Sequence, residues 1–427
     1  MSIKLQKLIN NVIMIKKETF MKSIERFLKY ISFDTQSDPY SNTSPSSVKQ
    51  FDLGNHLVNE LKQIGIDNAF IDNYGYVYGY LPSNCGCKKT IGLIAHMDTS
   101  FDASGKDIKP MIIEKYDGSV IKYNNNKNIE LSPKEFPSLN KKIGHQLICT
   151  DGTTLLGADD KAGIAIIIST IESILNSSTQ YPNIIITFTP DEEIGEGTKN
   201  FNYNYYKEKN CSFAYTLDGG DIEEISFENF NAASCIVKVI GKSIHPGSAK
   251  GKMINSQLIA MEFQSMLPQD QLPSLTEGYE GFYHLTAMSG SVEESTLEYI
   301  IRNHNKQLFE NQKQLVKDIE KYLNKKYGED TVKVTVNDSY LNMSEIILQH
   351  PEILEYAIKG LKRNGLNPTF LPIRGGTDGA RLSFEGIYTP NLGTGGENFH
   401  GPYEYLDVTD MEKMIKVLIS ILHIITE

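Results

Sequence analysis

The sequence predicts an α/β protein of two domains. A mixed or parallel sheet with helices on both faces is interrupted by a smaller inserted α+β domain. Three observations carry this expectation. Residues 90–96 are a short apolar strand, and 183–189 a near-continuous apolar run rich in β-branched residues, the pattern of a strand covered on both faces. Over the first half of the chain, strands alternate with carboxylate-bearing loops and helices, as in an α/β sheet. From residue 233 the order becomes strand-helix-strand-strand-helix-strand, the split βαβ arrangement, before the first pattern returns.

Taken in order, residues 21–31 place Ile24, Phe27, Leu28 and Ile31 on one face of a helix. Residues 34–47, rich in Ser, Thr, Asn and Pro, form a loop. A second helix spans 48–64, with Phe51, Leu53, Leu57, Val58 and Leu61 as its apolar set. Strands follow at 68–72, 77–81 and 90–96, the last ending in His96-Met97-Asp98. Residues 100–142 are loop-rich, and 143–150 lead into an Asp151-Gly152 turn. The stretch from Leu155 to Gly163 sets Asp159 and Asp160 side by side on a Gly-Ala turn that opens an apolar helix at Ile164. A carboxylate there must meet a cation or a helix N-terminus, or its burial is costly. Strand 183–189 ends in Pro190-Asp191-Glu192-Glu193-Ile194-Gly195, and strand 213–217 in Asp218-Gly219-Gly220.

In the middle, strands at 233–240, 282–290, 295–302 and 331–336 are joined through helices at 253–266 and 307–327. The tail has a helix at 352–363, a strand at 368–371, a Gly-rich turn at 374–379, a loop at 397–402 and a closing helix at 408–425. The expected organisation is an extension of unclear role at 1–20, a main domain in two pieces, 21–227 and 343–427, and the insertion at 228–342.

Composition bounds the function. Forty per cent apolar and 22% charged residues are ordinary for a soluble globular protein. A net charge of −11 disfavours a nucleic-acid groove or an anionic membrane surface as partner. No apolar run reaches the ~20 residues of a membrane helix, and lysines interrupt residues 1–20 where a signal peptide would need a compact apolar core. The five cysteines fit neither a zinc ribbon nor a disulfide framework. Cys85-Gly86-Cys87 is expected to be a surface turn in a reducing, cytoplasmic setting, with a redox or metal pair as the other reading.

In open α/β sheets ligands sit at the carboxyl ends of the strands. His96, Asp98, Glu192, Glu193 and Asp218 fall at such ends, with Asp159 and His400 beside them. Two imidazoles and several carboxylates, without a thiolate, suit zinc, manganese or cobalt. There are enough for two metals with one carboxylate between them, an arrangement that can share a hydroxide and clamp a tetrahedral intermediate. In His96-Met97-Asp98 the carboxylate can fix the imidazole tautomer. Adjacent residues of a turn point differently, so one of Glu192 and Glu193 can bind metal while the other serves as a base.

The segments His96-Met97-Asp98-Thr99, Gly157-Ala158-Asp159-Asp160-Lys161-Ala162-Gly163, Thr189-Pro190-Asp191-Glu192-Glu193-Ile194-Gly195, Asp218-Gly219-Gly220 and Asn398-Phe399-His400-Gly401 closely resemble the M20 metallopeptidases. Residues 245–251, 281–285 and 372–379 are more narrowly similar to the tripeptide aminopeptidases among them. The resemblance runs from about residue 21 to residue 427. It implies a zinc-peptidase catalytic domain with an inserted, ferredoxin-like lid. His96 and Asp218 would hold one zinc, Glu193 and His400 the other, and Asp159 would bridge both; Mn2+ or Co2+ could replace Zn2+. Asp98 would orient His96, and Asp159-Asp160 would be a cis peptide. Glu192 would be the general base, taking a proton from the water between the metals and passing it to the leaving amine.

His245, otherwise a turn residue before Pro246, would stabilise the oxyanion from the closing lid. Arg302 and Arg374 are candidates for the substrate's terminal carboxylate, with surface salt bridges as the duller reading. The expected activity is removal of the N-terminal residue from tripeptides by a monomer or homodimer. A dipeptidase, carboxypeptidase or N-acyl amino-acid deacylase would use the same metals, and a non-catalytic binding protein could keep the fold.

Overall fold

The computed structural model describes residues 21–123, 125–126 and 128–427; the extension expected at 1–20 lies outside them. The chain divides into two compact units. One runs to Glu224 and adds Leu354–Pro368 and Asn391–Glu427; the other comprises Ile225–Ile353 and Thr369–Pro390.

In the first unit, six strands lie in the order Phe70–Ile71, Val77–Leu81, Asn183–Thr189, Thr90–His96, Cys211–Gly219 and Asn391–Gly393. Thr90–His96 is parallel to both its neighbours, with His96 opposite Thr189 and Leu93 opposite Tyr215. Val77–Leu81 adds an antiparallel strand, so the sheet is mixed. All seven residues of Thr90–His96 are buried, which is why that run shows no polar alternation. Because the three central strands run the same way, their carboxyl ends lie along one edge.

The helix Ala158–Leu175 packs on Thr90–His96 and is covered by helices Ser23–Tyr30 and Val408–Thr426. Its apolar residues accordingly surround it rather than marking one stripe. Arg26 ties three helices together. Its Nε meets Glu60 Oε1 at 2.6 Å and its Nη2 meets Glu172 Oε2 at 2.7 Å, while Tyr30 donates to Glu60 Oε2 at 2.7 Å. No helix among the described residues is long and apolar enough to cross a membrane.

The loop-rich expectation for 100–142 misses real structure. Met111–Ile113, Leu147–Cys149, Tyr405–Asp407 and Gly396–Glu397 form a second, antiparallel sheet. A separate cluster of Tyr116, Ile121, Tyr123, Leu131, Leu139 and Tyr405 backs it. Strands of two or three residues are too short to display a period in sequence.

The second unit carries a four-stranded antiparallel sheet in the order Phe282–Gly290, Glu294–Asn303, Asn231–Ile240 and Val332–Tyr340. With helices Ser256–Met266 and Lys306–Tyr327 it has the split βαβ order expected. Along Asn231–Ile240, Cys235, Val237 and Val239 are buried while Ile236 and Ile240 are exposed. One face therefore meets the helices, through Ile259, Phe263, Phe309, Val316, Ile319 and Leu323.

Residues 369–390 group with this unit, whereas the boundary drawn at 343 put them in the returning main domain. Arg374 supplies the reason. Its Nη1 donates to the carbonyls of Gly278 (2.7 Å) and Glu280 (3.0 Å). Its Nη2 donates to Thr276 Oγ1 (3.0 Å) and the Thr276 carbonyl (3.3 Å), and the guanidinium lies over the rings of Phe230 and Phe282.

Candidate metal centre

The centre is assembled in the first unit from strand ends, a helix start and a hairpin. His96 ends the central strand and Asp218 lies near the end of its neighbour. Glu193 sits in the short 3₁₀ turn Glu192–Ile194 that follows Asn183–Thr189. Asp159 opens the buried helix, and His400 lies in the hairpin between Gly396–Glu397 and Tyr405–Asp407.

These side chains converge on Asp159. His96 Nε2 lies 2.7 Å from Asp159 Oδ1 and 3.5 Å from Asp218 Oδ1. His400 Nε2 lies 2.9 Å from Glu193 Oε2 and 3.4 Å from Asp159 Oδ2. Each Asp159 oxygen thus faces the Nε2 of a different imidazole, and each Nε2 has one further carboxylate beside it. Ligand atoms of His96, Asp159 and Glu193 lie within 4.8 Å of one another, as do those of His96, Asp160 and Asp218.

The electrostatics fit a cation-binding cluster. Burial works to lower His96, but its bonds to Asp159, Asp218 and Asp98 hold it well above the usual imidazole range. Hydrogen bonds to Asp159 and Glu193 lift His400 to about 11. Burial would raise Asp159, yet bonds from His400 and His96 hold it below the usual carboxylate range. Burial, with the Asp159 charge, pushes Glu193 up to about 7, and burial lifts Asp218 to about 6. Glu193 Oε1 is buried without a hydrogen-bond partner. A set of nitrogen and oxygen donors with more carboxylate than imidazole charge, plus an orphaned buried oxygen, fits two divalent ions.

Local geometry explains the motifs. Gly157 has φ +77°, the left-handed conformation glycine adopts freely, and turns the chain into the helix. The Asp159–Asp160 peptide is cis, as the resemblance implied. Asp160 accepts the His96 N–H at 3.1 Å and the Gly163 N–H at 3.2 Å, which locks helix to strand. A Cβ on Gly163 would overlap the Leu217 carbonyl and the Asp160 carboxylate, so only glycine permits this approach.

Asp98 does more than face His96. Its Oδ1 is 3.4 Å from His96 Nδ1, which also lies 3.1 Å from the Asp98 carbonyl. The same carboxylate accepts the backbone N–H of Glu192 at 3.0 Å and of Glu193 at 3.1 Å. Before them Asp191, left-handed at φ 58°, accepts from Ser46 N, Ser46 Oγ and Gln50 Nε2. The Glu192-Glu193 turn is therefore pinned from both sides.

Two contributors escaped the sequence reading. Asp102 Oδ2 lies 3.3 Å from His400 Nδ1. Glu404 is buried and accepts three backbone N–H groups around Asp159. Their only sequence signal is position, four residues after Asp98 and four after His400.

The other three expected site residues belong to the second unit. His245 is exposed, and its Nδ1 accepts the Gly247 N–H at 3.2 Å, capping the Pro246–Ser248 turn. Arg302 stacks over Tyr340 at 5.3 Å and donates through Nη1 to the Ile301 carbonyl at 3.1 Å. Arg374 has both terminal nitrogens on the 276–280 segment.

Comparison with known proteins adds to this geometry. A model of the peptidase dimerisation domain matches residues 227–331. Peptidase T from Caldanaerobacter subterraneus subsp. tengcongensis is 52% identical over 94% of this chain and 98% of its own length. The chain belongs to the peptidase T family. Among solved structures, aminopeptidase PepT from Bacillus cereus aligns with a TM-score of 0.74 and 22% identity, covering 95% of this chain and 98% of that one. A tripeptidase from Staphylococcus aureus gives 0.75 at 22% identity with the same coverage. At that identity the two structures speak for the peptidase T fold alone.

Proposed function

We propose that this chain is a two-zinc aminopeptidase that removes the N-terminal residue from tripeptides, with Glu192 as general base. The observation that carries the reading is Asp159, set between two imidazole–carboxylate pairs in a chain 52% identical to a peptidase T. His96 and Asp218 would hold one ion, Glu193 and His400 the other, and Asp159 both. When bound, the ions supply Lewis acidity at the scissile carbonyl and a more acidic water.

The protein groups do the rest. Glu192 takes the proton of the attacking water and returns it to the leaving amine. Asp98, bonded to the Glu192 and Glu193 amides, sets where that base lies. His245 donates to the developing oxyanion. Arg302 receives the terminal carboxylate of the peptide. Arg374, both of whose terminal nitrogens already meet Thr276, Gly278 and Glu280, holds that loop rather than substrate.

The match to a dimerisation domain supports a homodimer, which sedimentation velocity would test. Five free thiols support a reducing, cytoplasmic setting.

The deciding experiment is hydrolysis of matched substrates by zinc-loaded protein: a free tripeptide, its N-acetylated form, the matching dipeptide and a tetrapeptide. Selective cleavage of the first bond of the free tripeptide is expected. Cleavage of the acetylated compound or the dipeptide instead would move the chain to a deacylase or dipeptidase activity on the same metals. Glu192→Ala should keep both metals and lose roughly 10²–10⁴-fold in kcat; near-normal turnover would remove Glu192 from the role of base. His245→Ala should lower kcat with metal content intact, and loss of metal instead would place it among the ligands.

A further inference from the structure

We propose that Glu404 is the positioning residue of the metal centre, clamping the turn that presents Asp159 to both ions. This rests on the two-metal reading above. Glu404 is 1% exposed. Its Oε2 accepts the N–H of Leu156 at 2.6 Å and of Gly157 at 2.9 Å, and its Oε1 accepts the N–H of Asp159 at 3.1 Å. The left-handed Gly157 supplies the middle one of these amides, so the turn wraps around one carboxylate. A buried carboxylate is tolerated when hydrogen bonds replace its water, and here three backbone donors do so.

The consequence is geometric. The backbone of Asp159 is held by Glu404, while its two carboxylate oxygens face His96 and His400. Glu404 and His400 also share one hairpin, Gly396–Glu397 with Tyr405–Asp407. The hairpin would thus deliver a ligand to one ion and fix the carboxylate that both would share, while each of the other four ligands would serve one ion. Movement of Glu404 must therefore weaken both ions together, whereas loss of His96, Asp218, Glu193 or His400 weakens one more than the other.

The test uses the full chain with Glu404→Gln and Glu404→Ala. Glutamine keeps one oxygen as acceptor but sets its amide against one of the three N–H donors. Zinc affinity would be measured by competition with a chelator of known strength, and the environment of the metals by the visible absorption of the cobalt(II)-loaded protein. The expected result is a 10- to 100-fold weakening of both ions, in parallel, with an altered cobalt spectrum. The melting temperature of the metal-free Gln variant should stay near that of the metal-free parent. Unchanged affinity and spectrum, even with a lowered melting temperature, would overturn the proposal and leave Glu404 a support of the fold. Weakening of a single ion would overturn it too. If the Ala variant does not fold, the Gln variant carries the same measurement. A parent that binds fewer than two ions would instead overturn the two-metal reading itself.

Discussion

Asp98 offers the sharpest test of how the base is placed. Its carboxylate is fully buried and accepts the amides of Glu192 and Glu193 while facing His96 Nδ1. Asparagine at this position keeps one oxygen and turns an NH2 toward one of these donors. One hydrogen bond to a charged group is then lost, a change of about 1.5–3 kcal/mol. If half or more of that appears in the transition state, kcat/KM falls by roughly 3- to 100-fold, since each ~1.4 kcal/mol is tenfold. Asp98→Ala goes further and takes the acceptor from two part-buried N–H groups, at up to about 1–3 kcal/mol each, so stability should drop by as much as ~2–6 kcal/mol. The assay is tripeptide hydrolysis normalised to metal content, with urea denaturation for the Ala variant. Asp98→Asn within twofold of the parent, at full metal content, would refute the reasoning. So would a variant that loses metal but keeps full turnover per loaded molecule, because Asp98 would then act through His96 alone.

Arg26→Ala should destabilise the first unit by about 3–5 kcal/mol in urea, since it leaves Glu60 and Glu172 buried without their cation; a loss under ~1 kcal/mol would show that water replaces the guanidinium. Gly163→Ala should cost about 1–3 kcal/mol by overpacking and also weaken metal binding, because the added methyl pushes against Asp160 and the residue before Asp218; normal zinc titration would count against this. His304 is stacked on Phe230, and burial together with the nearby Arg374 charge pushes it down to about 4. Above the ordinary value near 6.5 it is neutral in both states. As pH falls from there toward 4 the unfolded chain binds a proton the folded one refuses, so stability falls by roughly 1.4 kcal/mol per pH unit. His304→Phe should flatten that part of the urea-midpoint profile, and a profile parallel to the parent's would exclude the effect. Removing metal with a chelator should lower the melting temperature, and restoring zinc should recover it, as expected for ions that bind only the folded chain.

What was legible in the sequence follows from length and repetition. Residues 90–96 and 183–189 announced themselves because strands covered on both faces need unbroken apolar runs. The inserted unit was legible because long strands and helices follow one another in the split βαβ order, although outward Ile236 and Ile240 blur the alternation along residues 231–240. The small sheet at 111–113, 147–149, 396–397 and 405–407 left no trace, for its strands are shorter than one readable period. The expected ligand set was visible as residue types at strand ends, and these side chains converge on Asp159. Glu404 was not, because a carboxylate that bonds backbone amides needs no partner side chain and so writes no motif. Arg374 was a candidate carboxylate receptor, beside a surface salt bridge, because a guanidinium fork suits carboxylates; the backbone carbonyls it meets at 278 and 280 are a partner no sequence motif announces.

The insertion also has a consequence in time. His96, Asp159, Glu193 and Asp218 all precede the inserted unit in the chain, and His400 follows it. A ribosome adding about 5–20 residues per second needs roughly 10–40 s to travel from Asp218 to His400. On the proposed assignment, the nascent chain throughout that interval would own the ligands of one ion in full and of the other only in part. Glu404, which steadies the shared Asp159, is made later still. Such a centre would mature from an open, one-sided cation trap to a closed pair, completed by the hairpin that carries His400 and Glu404.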